Sequence, residues 1–202
     1  MAEIVTIDEL RQMAADARES IWEQAGAYGR EPRIYLHWSA GHLYGQVFED
    51  YHVNIDGDGT IYVTGDLDEV KSHTWRMNTG AVAISLCCAY GATTNDLGDE
   101  GPTAKQIEVM AQAIAAVADG LWLTVDKAHV RTHGEQAANE CGWEQPAYAP
   151  WNDECNDGQV RWDLEYLGTP ESPEYNPWAT DGSRGGDVLR GKAVWYQNET
   201  HN

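Results

Sequence analysis

Positive charge is scarce in this chain: 13 Lys and Arg stand against 33 Asp and Glu in 202 residues, a net charge of −20 at pH 7. So acidic a surface lacks the basic stripe that phosphate backbones require, and nucleic acid is not an expected partner. It also disfavours adhesion to an anionic membrane or wall by charge alone. Long apolar runs are missing too. The most apolar stretch, near Met110 to Leu123, is interrupted by Asp119, so no membrane partner is expected. The opening Met1-Ala-Glu-Ile-Val-Thr-Ile-Asp8 has neither a basic start nor an apolar signal region. Synthesis in a cytoplasm is therefore expected, unless an export route leaves no mark in the sequence. Cysteine is limited to four, with no CxxC pair of the kind found in zinc knuckles. Cys87 and Cys88 sit in an apolar run, where at least one should be a small core residue. Cys141 and Cys155 lie in a polar, Trp-rich loop, where both a disulfide and free thiols remain open.

Phenylalanine is nearly absent, one residue against nine Trp and ten Tyr. Trp and Tyr join a large apolar face to a polar handle, which suits a wet cleft that stacks on sugar or peptide as well as it suits a core. With 42% hydrophobic residues and this length, the chain can bury a core as one domain without staples.

Along the chain, Thr6-Ile-Asp-Glu9 is a capping-box pattern that opens a helix ending near Gly26 to Gly29. Ile34 to Trp38 reads as a strand. Tyr51 to Ile55 and Thr60 to Thr64 flank Asp56-Gly-Asp-Gly59 as a hairpin. The Asp56/Asp58 pair lacks the later ligands and the glycine of a calcium loop, so calcium is rejected there. Ala81 to Tyr90 reads as a central strand covered on both faces. A second capping box, Thr103 with Gln106, opens a helix with Ile107, Met110, Ile114 and Val117 on its buried stripe. Leu121 to Val130 reads as a loop or short strand, and residues 134–160 and 168–186 as surface loops. A last short helix is expected from Asp187 to Tyr196. The pattern is α/β, a central mixed β-sheet flanked by helices.

His37 stands at the end of a strand, just before the small-residue turn Ser39-Ala-Gly41, where a scaffold can present a side chain to a cleft. His133 and Asp163 lie far downstream. If the three meet, two imidazoles and a carboxylate suit one zinc ion, with a fourth position open to water. Taken singly, each has an ordinary alternative as a core histidine, a helix cap or a salt-bridge partner.

Several motifs in order change that balance. They are Leu36-His-Trp-Ser-Ala-Gly41, Tyr51-His-Val-Asn-Ile-Asp-Gly57, Ser72-His-Thr-Trp-Arg-Met-Asn-Thr-Gly80, Pro102-Thr-Ala-Lys-Gln106, Thr132-His-Gly-Glu135 and Arg161-Trp-Asp-Leu164. Together, over residues 34–164, they resemble the zinc-dependent N-acetylmuramoyl-L-alanine amidases. That group shares its fold with the peptidoglycan recognition proteins and phage lysozyme-type amidases. The late Arg161-Trp-Asp-Leu164 and the helix after it look like the phage endolysin branch.

The resemblance implies one amidase catalytic domain over residues 1–202, with zinc held by His37, His133 and Asp163 and peptidoglycan as the partner. It implies that Tyr51 faces the attacking water or the oxyanion. Arg161 is implied as an electrostatic contributor, since its guanidinium stays charged and donates protons poorly. Trp38, His73, Trp75 and Asn78 are implied as substrate contacts, and Glu135 either orients a ligand imidazole or is solvated charge. Where some members carry a catalytic Glu in the central strand, this chain has Ala83-Ile-Ser-Leu86, and Ser85 cannot be that base. A phage or prophage endolysin released through a holin is the implied setting, with a wall-recycling amidase or a delivered toxin as alternatives. A non-catalytic peptidoglycan-binding module of the same fold is the rival function.

Overall fold

The computed structural model describes residues 2–137 and 161–200. Six strands form one sheet: β1 (Ala2–Val5), β2 (Arg33–Trp38), β3 (Val53–Ile55), β4 (Ile61–Thr64), β5 (Ala81–Leu86) and β6 (Val130–Thr132). Their spatial order is β1-β4-β3-β5-β2-β6. Strands β3, β5, β2 and β6 run parallel to one another, while β4 and β1 complete the sheet antiparallel. The helices are α1 (Ile7–Gly26), α2 (Ala104–Leu121), the single turn α3 (His133–Gln136) and α4 (Gly185–Thr200). This is the mixed, helix-flanked sheet that the sequence pattern implies.

Local chemistry sets the helix boundaries. Thr6 accepts from the Glu9 amide at 3.2 Å while Glu9 reaches back to the Thr6 amide at 2.7 Å, so two donors are satisfied at the start of α1. Thr103 and Gln106 close the same box at the start of α2, both at 3.0 Å. At its far end Trp122 turns left-handed, and the Arg18 guanidinium lies 3.6 Å from its ring centre.

Alternation along the strands divides the molecule. Ile34, Leu36 and Trp38 of β2, with Val82, Ile84 and Leu86 of β5 and Val53 and Ile55 of β3, pack with α1 and α2 into one apolar cluster. Tyr35 and His37 point the other way, as do Ser85 and Asn54, and all four are fully buried. The register places Ser85 beside both His37 and Asn54.

Two elements depart from the sequence reading. The edge strand β1 is unanticipated, because three of its four residues are exposed and give no alternation signal. Residues 134–136 are buried in α3 instead of lying in a surface loop. Cys87 and Cys88 are free and buried. Cys141 and Cys155 lie outside the described residues.

Candidate metal centre

Sheet register brings the first two histidines together. Thr132 pairs with Leu36 across β6 and β2, so His133, the next residue, arrives beside His37, and their ring centres are 4.9 Å apart. Thr132 also caps α3, accepting the Glu135 amide at 3.0 Å, which fixes the direction in which His133 leaves the strand. Asp163 enters from a turn whose next residue, Leu164, is buried with φ of 58°. A left-handed leucine costs roughly 1–2 kcal/mol, and such strain persists only where the surroundings impose it.

Asp163 Oδ2 lies 3.5 Å from His37 Nδ1 and 3.6 Å from His133 Nδ1. One donor atom from each of the three residues lies within 4.8 Å of the others. Zinc bonds of about 2.0–2.1 Å at tetrahedral angles put neighbouring donors roughly 3.3–3.4 Å apart, close to the two spacings from Asp163 Oδ2. A second observation agrees. Among the described residues, buried His37 Nδ1 has no hydrogen-bond partner, which is costly for a ring nitrogen unless something else engages it.

Electrostatics favour His37 and Asp163 in the deprotonated state that a cation needs. Burial pushes the His37 imidazole down to about 4, against the pull of Asp163. Burial works against the Asp163 carboxylate, yet the imidazoles of His133 and His37 outweigh it and hold the group below the usual carboxylate range.

The adjoining cleft has a volume of about 300 Å³ and is lined by Asp50, Tyr51, Ser72, His73, Arg161 and Trp162 together with His133 and Asp163, while His37 lies buried behind it. Tyr51 stacks obliquely on His37, ring centres 5.0 Å apart. Burial, with Asp163 and Asp50 adding to it, raises the phenol well above its ordinary range, so Tyr51 keeps its proton. Ser85 is fully buried, and among the described residues its hydroxyl reaches only the next carbonyl, Leu86 O, at 3.5 Å. It has no route to activating a water.

The four expected substrate contacts separate. Trp38 and His73 line the cleft. Trp38 is only 5% exposed, its indole edge-on to Tyr166, so it builds the wall more than it offers a stacking face. Asn78 is taken up in loop construction: its Oδ1 accepts the amides of His73 at 3.2 Å and Thr74 at 2.8 Å, which leaves that oxygen engaged away from any ligand. Trp75 is exposed and outside the lining, with Arg76 lying 5.9 Å from its ring centre. Of the two readings of Glu135, solvated charge is overturned by its burial. It is fully buried and grips Arg190 of α4 with both oxygens, at 2.7 and 2.8 Å.

One residue that sequence reasoning left without a role also shapes the site. Thr74 Oγ1 lies 3.4 Å from His37 Nε2 and 2.9 Å from His73 Nδ1. The Thr74 hydroxyl is thus the polar partner of His37 Nε2, and it fixes the ring's orientation. His52 is a satisfied core histidine. Its Nδ1 accepts from the Ala83 amide at 2.9 Å and its Nε2 donates to Glu69 O at 2.7 Å, while burial lowers its basicity to about 4.

Comparison with known families decides the assignment, because the model describing N-acetylmuramoyl-L-alanine amidases matches residues 12–165. The chain belongs to this amidase family. The match includes His37, His133 and Asp163, and α4 lies beyond its end. Among solved structures, the chain is similar to the endolysin N-acetylmuramoyl-L-alanine amidase LysCS from Clostridium intestinale URNW. The identity is 20%, over 51% of this chain and 68% of that chain, with a TM-score of 0.40. A search of curated proteins finds no match.

Proposed function

We propose that this family member is a zinc-dependent enzyme that hydrolyses the amide between the lactyl group of N-acetylmuramic acid and L-alanine in peptidoglycan. The observation that carries this is the spacing of three donor atoms, 3.5 and 3.6 Å from Asp163 Oδ2 to the two imidazoles, in an open cleft. His37, His133 and Asp163 would hold the ion. Zinc in such a set supplies Lewis acidity, making a water acidic near neutral pH and polarising a carbonyl.

The chain's own groups do the rest. Tyr51 retains its proton and donates a hydrogen bond to the oxygen that becomes negative as the carbonyl carbon turns tetrahedral. Arg161 adds fixed positive charge at the same rim without giving up a proton. Asp50, beside Tyr51, is the other carboxylate in the lining, and it takes the general-base position that Ser85 leaves open. We place the enzyme as a phage or prophage endolysin, supported by Arg161-Trp-Asp-Leu164 and the helix that follows.

The test is mass spectrometry of peptidoglycan digested by zinc-loaded protein. New L-alanine N-termini should appear, vanish on chelation and return with zinc. Zinc-loaded protein that releases none from several peptidoglycan types would overturn the reading. His133→Ala separates enzyme from binding module, since a pure binder would keep its affinity for the wall and would show no cleavage to lose.

A further inference from the structure

We infer that α4 and the residue before it, outside the family match, are part of the apparatus that positions the metal ligands, with Arg190 and Arg184 as the positioning residues. The inference rests on the zinc reading above. Arg190 and Arg184 reach two carboxylates, Glu135 and Glu165, that stand two residues beyond His133 and Asp163 in the sequence.

Arg190 Nη1 and Nη2 bond Glu135 Oε2 and Oε1 at 2.7 and 2.8 Å. The same guanidinium donates to Val130 O of β6 at 3.0 Å and to Asp187 at 2.6 Å. Glu135 Oε2 in turn accepts the Thr132 amide at 3.0 Å. One side chain of α4 thus holds the strand before His133 and the turn after it. Arg184 Nη2 donates to Glu165 Oε1 at 2.9 Å, where Thr132 Oγ1 also arrives at 3.3 Å. The Gly185 amide donates to Glu165 O at 3.0 Å. Thr132 is therefore tied to both clamps, and the His133 and Asp163 segments share one support.

The backbone is shaped to let these carboxylates in. A Cβ on Gly134 would stand 2.4 Å from Glu165 Oε1, and one on Gly186 would stand 2.8 Å from both Glu135 oxygens. Buried ion pairs add little net stability compared with apolar replacements, so two of them behind the same metal ligands point to geometry more than to strength. A rigid outer support of this kind is what holds first ligands to the narrow tolerance a metal site demands.

The test measures zinc affinity by chelator competition, and ligand geometry by the visible spectrum of the cobalt-substituted protein, at a temperature where circular dichroism shows a folded chain. Arg190→Met should weaken zinc binding about 10–100-fold. Arg190→Lys keeps charge but loses the two-pronged contact, and should give a smaller loss with a shifted cobalt spectrum. Gly186→Ala improves helix propensity while crowding Glu135, so a loss of metal affinity there cannot come from a weakened helix. Lys192→Met is the control: it cuts the ion pair from α4 to Glu108 on α2, away from the metal centre, and should lower stability with zinc affinity unchanged. If Arg190→Met does not fold, Arg190→Lys and Gly186→Ala decide. Wild-type affinity and spectrum in both overturn this inference alone. A parent protein that takes up no metal overturns the zinc reading and this inference with it.

Discussion

Leu36 and His37 are neighbours in one strand, both fully buried, and they live under different rules. Leu36 faces the helices, among Ile34, Val82, Ile84 and Met110, where shape and apolar area decide what fits. His37 faces the donor cluster, where position is specific: Asp163 Oδ2 stands 3.5 Å from one ring nitrogen and the Thr74 hydroxyl 3.4 Å from the other. The helix face tolerates substitutions that conserve volume. The cleft face tolerates only those that conserve hydrogen-bonding geometry.

Substituting the two neighbours should break the molecule in opposite ways. His37→Asn should reduce amidase activity to background, a larger loss than the roughly 10–100-fold typical of changing an outer partner. Its cost to metal-free stability should be only about 1 kcal/mol. Leu36→Ala should cost about 2–5 kcal/mol in chemical denaturation, through lost burial and a cavity. Zinc affinity per folded Leu36→Ala molecule should stay within a few-fold of the parent. The contrast fails if Leu36→Ala loses metal in proportion to its lost stability.

Acid should separate the faces without any mutation. Burial pushes the imidazoles of His37 and His52 down to about 4, and it lowers His73 as well. Between pH 4 and 6.5 the unfolded chain binds more protons at these sites, so their contribution rises with pH and is withdrawn as pH falls. His37 and His52 each withdraw on the order of 3 kcal/mol by pH 4, the free energy of holding an imidazole that far below its ordinary range. Glu165 works the other way. Burial raises it to about 7, so between pH 4.5 and 7 the folded state binds the extra proton and its contribution falls as pH rises. The histidines outnumber it. Metal-free protein followed by tryptophan fluorescence in urea should therefore gain stability from pH 4.5 to 6.5, then level or dip slightly towards 7. A flat profile would mean that these imidazoles take up protons without unfolding. Leu36→Ala should shift the whole curve down and leave its slope intact.

The helix face was legible because apolar periodicity survives in any single sequence: the stripe Ile107, Met110, Ile114 and Val117 predicts α2, and the run at Ala81 predicts β5. The cleft face has no periodic signature. His37, His133 and Asp163 became a candidate set only through an ordered run of motifs, and their meeting depends on the parallel β2–β6 pairing that brings Thr132 beside Leu36. One signal was present and unread: Thr132-His-Gly-Glu135 has the same capping pattern as Thr6-Ile-Asp-Glu9 and marks α3 in advance. The partner of Glu135 was beyond reach. Nothing in sequence spacing ties it to Arg190, because that contact exists only after α4 has packed. His52 and His73 differ for a similar reason: one has both ring nitrogens satisfied, the other one, and that is decided by neighbours remote in sequence.

The finest separation comes from a change with almost no effect on shape. Thr74→Val keeps the branched outline and adds apolar surface, which on the helix face would be nearly neutral. On the cleft face it strips the hydroxyl that partners both His37 Nε2 and His73 Nδ1 while both rings stay buried. Leaving them unpaired should cost about 1–3 kcal/mol. Free to tilt, the His37 ring should lose roughly 10-fold in zinc affinity. Thr74→Ser restores the hydroxyl and removes only a methyl group, so it should recover most of the affinity. If Ser and Val behave alike, it is the methyl packing and not the hydrogen bond that holds His37, and the two faces of β2 follow one rule.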